Sequence, residues 1–138
     1  MNVTLSPDYR PLAKEPFMNK KMQEFFRQKL LDWKVELLDE SNSTILHLQE
    51  GGNVESDLSD RASVETERSL ELRTRDRARK LITKIEEALD RIENGTYGFC
   101  METNEPITLS RLVARPIATL SIEAQERHER MEKTHRDE

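Results

Sequence analysis

Three carboxylates, Glu55, Asp57 and Asp60, fall in one short stretch, Glu50-Gly51-Gly52-Asn53-Val54-Glu55-Ser56-Asp57-Leu58-Ser59-Asp60-Arg61-Ala62. Carboxylates displayed on a loop can bind a hard cation such as Mg²⁺, accept hydrogen bonds from a partner's Arg or Lys, or simply keep a turn soluble. The D-x-x-D spacing does not choose among these, and acidic residues are ordinary at helix starts. A second group is basic. Arg73, Arg77, Lys80 and Lys84 step by four, three and four, so they share one helix face, while Arg75 and Arg79 lie elsewhere around the cylinder. That face is either solvated and paired with nearby glutamates or a contact for phosphate or an acidic partner, joined by Arg111 and Arg115 if the C-terminal lobe folds back.

A third group is positional. Cys100, Thr103, Ser121 and Ala124 stand 3, 18 and 3 residues apart, the spacing of a two-knuckle zinc site. Tetrahedral structural zinc requires four thiolate or imidazole ligands, and Thr, Ser and Ala cannot replace them. No zinc is therefore expected, and the lobe must be held by packing among Phe99, Met101, Ile107, Leu109, Leu112, Val113, Ile117, Leu120 and Ile122. Nothing in the sequence lowers the pKa of Cys100, which is expected to behave as a small buried apolar residue rather than a redox sensor. His128 and His135 are seven residues apart, too distant to chelate one ion unaided, and are expected to be exposed, as is His47. The chain contains no nucleophile-and-base arrangement and no glycine-rich phosphate loop, so an enzyme is not expected.

The elements that must position these groups are helices. Met22, Phe26, Leu30, Trp33, Leu37, Thr44 and Leu48 recur at steps of three, four and seven, placing them on one stripe with Trp33 as its largest member. A helix from Phe17 to Gln49 would be about 50 Å long. Gly51 and Gly52 end it, and Ser59 or Asp60 is expected to cap the next, with Asp57 and Asp60 beside the positive end of its dipole. That second helix should run from about Asp60 to Glu93. Its seam is clean at Ala78, Leu81 or Ile82, Ile85, Ala88 or Leu89, and Ile92, and degrades toward Val64, Thr66, Glu67, Leu70, Glu71 and Thr74, so the distal part should fray more readily. Asn94-Gly95 ends it. Thr96 to Met101 suits a compact knuckle, Pro106 turns the chain, Ile107 to Val113 is a short strand or a helical turn, and a last helix begins near Thr119.

The fold class this predicts is dominated by α-helix: a long antiparallel coiled-coil hairpin with an acidic tip, plus a small degenerate zinc-finger-like lobe and a C-terminal helix. Its parts are a lead-in over residues 1–16 containing Pro7, Pro11 and Pro16, the hairpin over 17–95 (helices about 17–50 and 60–94, tip 51–60), and the lobe with its final helix over 96–138. Composition agrees. Of 138 residues, 35% are hydrophobic and 36% charged, a balance that suits helices with a narrow apolar seam rather than a large core. The net charge of −5 argues against general nucleic-acid binding. No apolar run nears the roughly 20 residues needed to span a bilayer, and the N-terminus lacks the plan of a signal peptide. The single cysteine excludes an internal disulfide framework. A cytoplasmic protein is expected.

Five ordered blocks carry a resemblance: Asp57-Leu58-Ser59-Asp60-Arg61-Ala62; Ser69-Leu70-Glu71-Leu72-Arg73-Thr74-Arg75-Asp76-Arg77; Arg79-Lys80-Leu81-Ile82; Gly95-Thr96-Tyr97-Gly98-Phe99-Cys100; and Arg111-Leu112-Val113-Ala114-Arg115-Pro116. From about Phe17 to Ala124 the chain resembles the DksA/TraR family of bacterial transcription factors. The resemblance implies a zinc-finger lobe at the base of a coiled coil that enters the secondary channel of RNA polymerase, bringing the tip near the catalytic centre. Asp57, Asp60 and Ala62 match the family's tip motif, which alters promoter-complex stability without sequence-specific DNA contact. The resemblance also implies the alarmone ppGpp as an effector at the polymerase interface. Leu81, Lys84 and Arg115 match positions associated with it, Arg77 adds charge on the same face, and Gln125 stands where a lysine is often found. The missing cysteines place the chain with cysteine-poor, non-zinc members.

The implied partners are RNA polymerase and ppGpp, with no membrane and a monomeric state. Two other functions fit the residues: a transcript-cleavage helper whose tip carboxylates hold a second Mg²⁺, and a structural coiled-coil adaptor for which the acidic tip is incidental.

Overall fold

The computed structural model of the chain describes the backbone of residues 4–50 and 58–136, and the side chains among them other than those of residues 44–50, 58–60, 135 and 136. Glu55 and Asp57 lie outside the described residues, as do the side chains of His47, Asp60 and His135. Four helices follow in order: α1 (Lys20–Glu50), α2 (Leu58–Asn94), α3 (Leu109–Ala114) and α4 (Ile122–Arg136). Among the described residues the β structure is limited to one antiparallel bridge, Phe99 to Pro106.

Helix starts and stops follow local chemistry. Met18 takes a left-handed φ of 53°, which a helix cannot include, and the Asn19 side-chain oxygen then accepts the Met22 N–H at 2.8 Å. α1 therefore begins at Lys20, not at Phe17. α2 already includes Leu58, so Ser59 and Asp60 lie within its first turn rather than capping it from outside. Its far end closes at Asn94 because Gly95 adopts φ 83°, and the N–H groups of Thr96 and Tyr97 both turn back to the Arg91 carbonyl at 2.9 and 3.1 Å. α4 is capped by Ser121, whose hydroxyl accepts the Ala124 N–H at 3.2 Å.

The chain divides into two compact units, Met1–Leu30 with Glu87–Glu138, and Leu31–Glu86. In the second, the α1 and α2 segments form a helical hairpin. Leu37, Ala78 and Ile85 are buried between them, and Lys34 Nζ meets Glu86 Oε1 at 3.3 Å. Trp33 is half-buried, so the seam turns on leucine, isoleucine and alanine rather than on its bulkiest side chain. Toward Ala62 the apolar seam weakens. Val64 is half-buried, Leu70 is exposed, and the hydroxyls of Thr66 and Thr74 bond back to their own helix at Ala62 and Leu70. With so little apolar surface buried there, this stretch opens more readily than the part around Ile85.

In the first unit, Met22, Phe26 and Leu30 from α1 and Ala88 and Ile92 from α2 are buried together with Tyr97, Cys100, Ile107, Leu112, Ile117, Ala118 and Ala124. Phe26 is the largest fully buried side chain, and its ring lies 5.5 Å from that of Tyr97. The Tyr97 hydroxyl donates to the Pro116 carbonyl at 2.7 Å, and burial holds its pKa far above the usual phenol value. The lobe's packing differs from expectation at two residues. Met101 and Ile122 are exposed, because the Met101 backbone bonds to Thr119 and turns its side chain outward, while Ile122 opens α4 on its solvent side.

Candidate functional site

Two sets of residues matter: the knuckle around Cys100 and the charged positions of α2 with their counterparts in the lobe. The knuckle is built by backbone pairing. Cys100 N–H donates to Glu105, Asn104 N–H returns to Cys100, and Ile107 N–H reaches Gly98, each at 2.8 Å, with Asn104 at φ 62° making the reversal. Met101 N–H donates to Thr119 at 2.8 Å and so ties this turn to the segment that leads into α4. The four positions at zinc-site spacing are thereby drawn together. Thr103 and Ser121 both hydrogen-bond the Cys100 sulfur, and Ser121 caps the turn that carries Ala124.

Cys100 is buried, as expected, and that arrangement also gives its sulfur hydrogen-bond donors. Burial pushes the Cys100 thiol up, but hydrogen bonds from the Thr103 hydroxyl and from the backbone N–H groups of Ser121, Thr103 and Glu102 outweigh it and bring the thiol down to about 6. Cys100, only 1% exposed, therefore has its thiol held below its ordinary value. The folded pKa lies below the unfolded thiol's ~8.5, so the thiolate adds stability that is present above that value and lost as pH falls through about 6. Following thiolate absorbance on this single-cysteine chain should give a midpoint near 6. Thr103→Val should raise it by about one unit, the worth of one charge-assisted donor. A midpoint near that of a free thiol in both proteins would contradict this geometry.

The same donors decide whether zinc fits. One thiolate is present, the Ser121 hydroxyl is engaged by the Ala124 N–H, the Thr103 hydroxyl is turned to sulfur, and the methyl of Ala124 is fully buried. This set does not fit a tetrahedral zinc. Among the described residues no group of three or more His, Cys, Asp or Glu could hold a metal ion.

His128 is exposed, as expected, and its imidazole Nε2 also meets the Glu102 carboxylate, linking α4 to the knuckle. No sequence signal joins positions 26 residues apart. The basic residues lie where their spacing put them. Arg77 and Lys84 are exposed on α2, with Leu81 half-buried between them. Arg73, Arg75, Arg79 and Lys80 are on the same helix. Arg115 follows α3 and is exposed, whereas Arg111 is half-buried and its Nε donates to the Leu120 carbonyl at 2.8 Å, which makes it part of the lobe's framework. Gln125 is half-buried on α4 and its amide donates to Glu129 at 3.3 Å. Arg77, Leu81 and Lys84 belong to one unit, Arg115 and Gln125 to the other. Of the tip residues, Ala62 is exposed and lines an open groove of about 470 Å³ with Glu65, Thr66, Ser69, Leu70 and Arg73.

A helical hairpin, joined to a two-knuckle lobe in which one cysteine remains, defines the class: coiled-coil proteins with a zinc-finger-type lobe. Comparison with known proteins narrows it. Residues 22–92 match the family model described as "DnaK suppressor protein DksA, N-terminal domain", and residues 95–130 match "Prokaryotic dksA/traR C4-type zinc finger". The chain is 63% identical over 131 residues to the RNA polymerase-binding transcription factor DksA of Caulobacter vibrioides, covering 95% of this chain and 92% of that one. It is 42% identical over 115 residues to the protein of the same name from Escherichia coli, covering 83% and 76%. The solved structure of transcription factor DksA2 from Pseudomonas aeruginosa superposes with a TM-score of 0.80 at 41% identity, covering 88% and 95% of the two chains. The chain belongs to the DksA family.

Proposed function

We propose that this chain is a cytoplasmic regulator of transcription that binds RNA polymerase as a monomer and has no catalytic activity of its own. Membership of the DksA family, with α1 and α2 paired as a helical hairpin among the described residues, is the observation that carries the reading. The hairpin enters the polymerase secondary channel and places Asp57, Asp60 and Ala62 near the catalytic centre. There the carboxylates make contacts that differ between polymerase conformations, and only such differential contact can shift their balance. Promoter complexes that are already short-lived respond most. No helix among the described residues is long and apolar enough to cross a membrane, and the acidic balance of the chain argues against general nucleic-acid binding.

The alarmone ppGpp is the proposed effector. Lys84 and Arg115 supply phosphate-binding cations, Arg77 adds charge, and Leu81 offers an apolar edge. Gln125 contributes no charge and already donates to Glu129, so potentiation by ppGpp should be weak. The test of the whole reading is co-purification of polymerase with the chain, followed by promoter-complex lifetimes with and without ppGpp. Binding with shortened lifetimes supports it; failure to bind polymerase removes it.

The lobe folds without zinc. The donor set around Cys100 supports this, since hydrogen bonds and buried side chains occupy the positions that ligands would take. A strong chelator should leave the melting midpoint unchanged, and a drop of several degrees in a calorimetric scan would mean that a metal is bound.

A further inference from the structure

Residues 4–19, ahead of α1, contain Pro7, Pro11 and Pro16 and make no regular element, yet their contacts are specific. Tyr9 N–H closes a turn on the Ser6 carbonyl and Glu15 N–H closes another on Leu12, both at 3.0 Å. The Glu15 carboxylate ties the two turns together, accepting the Tyr9 hydroxyl at 3.1 Å and the Leu12 N–H at 2.9 Å. The ordered segment then makes two attachments within its unit. The Tyr9 ring stands edge-on to Phe25 of α1 at 6.0 Å, and the Phe17 ring stands edge-on to Phe99 of the knuckle at 5.3 Å.

The second attachment is close. Gly98, at φ 90°, has no side chain to keep the segment away; a Cβ there would sit 3.1 Å from Met18 Cε and 3.2 Å from both Met18 Cγ and Phe17 Cζ. Met18 is buried and holds φ 53°, a conformation that a side-chain-bearing residue keeps only when its surroundings over-determine it. One such determinant is the Gln23 amide, which donates to the Met18 carbonyl at 2.7 Å. Phe17 and Met18 thus lie directly over the turn that leads into Cys100.

We infer that residues 4–19 form a strap that clamps the first knuckle to the base of α1 and replaces the cross-link that a tetrahedral metal supplies in a four-cysteine lobe. The inference rests on the reading of the lobe as metal-free. A four-cysteine knuckle is held through its ligands; here one cysteine remains, and the turn at Gly98-Phe99 is held from outside by two side chains of the strap. The knuckle's integrity therefore depends on a segment remote from it in sequence.

Cys100 provides the readout, because its buried thiol reacts with a thiol reagent only when the knuckle opens. In the full chain under native conditions, Phe17→Ala should accelerate labelling of Cys100 at least tenfold with helical circular dichroism retained. Phe17→Leu, which keeps apolar bulk but loses the ring edge against Phe99, should fall between it and the unaltered chain. Leu37→Ala, which removes a buried side chain from the other unit, serves as the control for global loosening and should change labelling less than threefold. Labelling of both Phe17 variants at the unaltered rate, or equal acceleration by Leu37→Ala, would overturn the strap. Acceleration of the unaltered chain by chelator would instead overturn the metal-free premise, and the strap's role with it.

Discussion

Replacing Asp57 and Asp60 together with asparagine should reduce the chain's effect on promoter-complex lifetime at least tenfold while changing its affinity for polymerase less than threefold. Asparagine keeps the shape and one acceptor of aspartate but removes the charge. A hydrogen bond to a charged group contributes about 1.5–3 kcal/mol, so losing two exceeds the ~1.4 kcal/mol that corresponds to a factor of ten, even with strong non-additivity between neighbours. On the proposed function affinity should be spared, because the tip's contacts would discriminate between polymerase conformations while the longer helix faces would supply most of the binding. Lifetimes on a short-lived promoter and a binding titration, measured on the same preparations, check both halves. Unchanged lifetimes with intact binding would favour the adaptor function. If the unaltered chain instead releases short RNA from a backtracked complex, and Asp57→Ala abolishes that release, the tip is holding Mg²⁺ for cleavage.

The largest stability loss is expected at Phe26. Its ring is fully buried and packs against Phe25 at 5.2 Å and Tyr97 at 5.5 Å, so it joins the base of α1 to the knuckle segment. Phe26→Ala removes that surface and leaves a cavity that Tyr97, anchored to Pro116 through its hydroxyl, cannot relax to fill. The cost should be about 3–5 kcal/mol, enough to lower the melting midpoint by on the order of 10 °C or more. Leu70→Ala, at a position 54% exposed, should cost only a few tenths of a kcal/mol. Thermal and denaturant unfolding of the two variants side by side would check this ordering; equal losses would mean that Phe26 is not central to the core.

Much of this architecture could be read from periodicity, because a helix writes its buried face into the sequence every three or four residues. Met22, Phe26, Leu30 and Leu37 on one side, and Ala78, Ile85, Ala88 and Ile92 on the other, were found that way and are buried. Trp33 was over-weighted because size does not tell which side of a stripe a residue takes. The zinc-site spacing singled out Cys100, Thr103, Ser121 and Ala124, but not the hydrogen bonds that the Cys100 sulfur receives. Its donors are mostly backbone N–H groups, one of them at Ser121, and a residue's letter says nothing about where its own N–H points. The same reason hid the strap. A left-handed Met18 over a side-chain-free Gly98 is a contact between residues 80 positions apart, with no local signature beyond the prolines that precede it.

The most direct test is site-specific crosslinking from position 57 in a complex with RNA polymerase. The account predicts adducts with polymerase segments lining the secondary channel beside the catalytic Mg²⁺. Adducts confined to the outer surface of polymerase, with the complex otherwise intact, would contradict it.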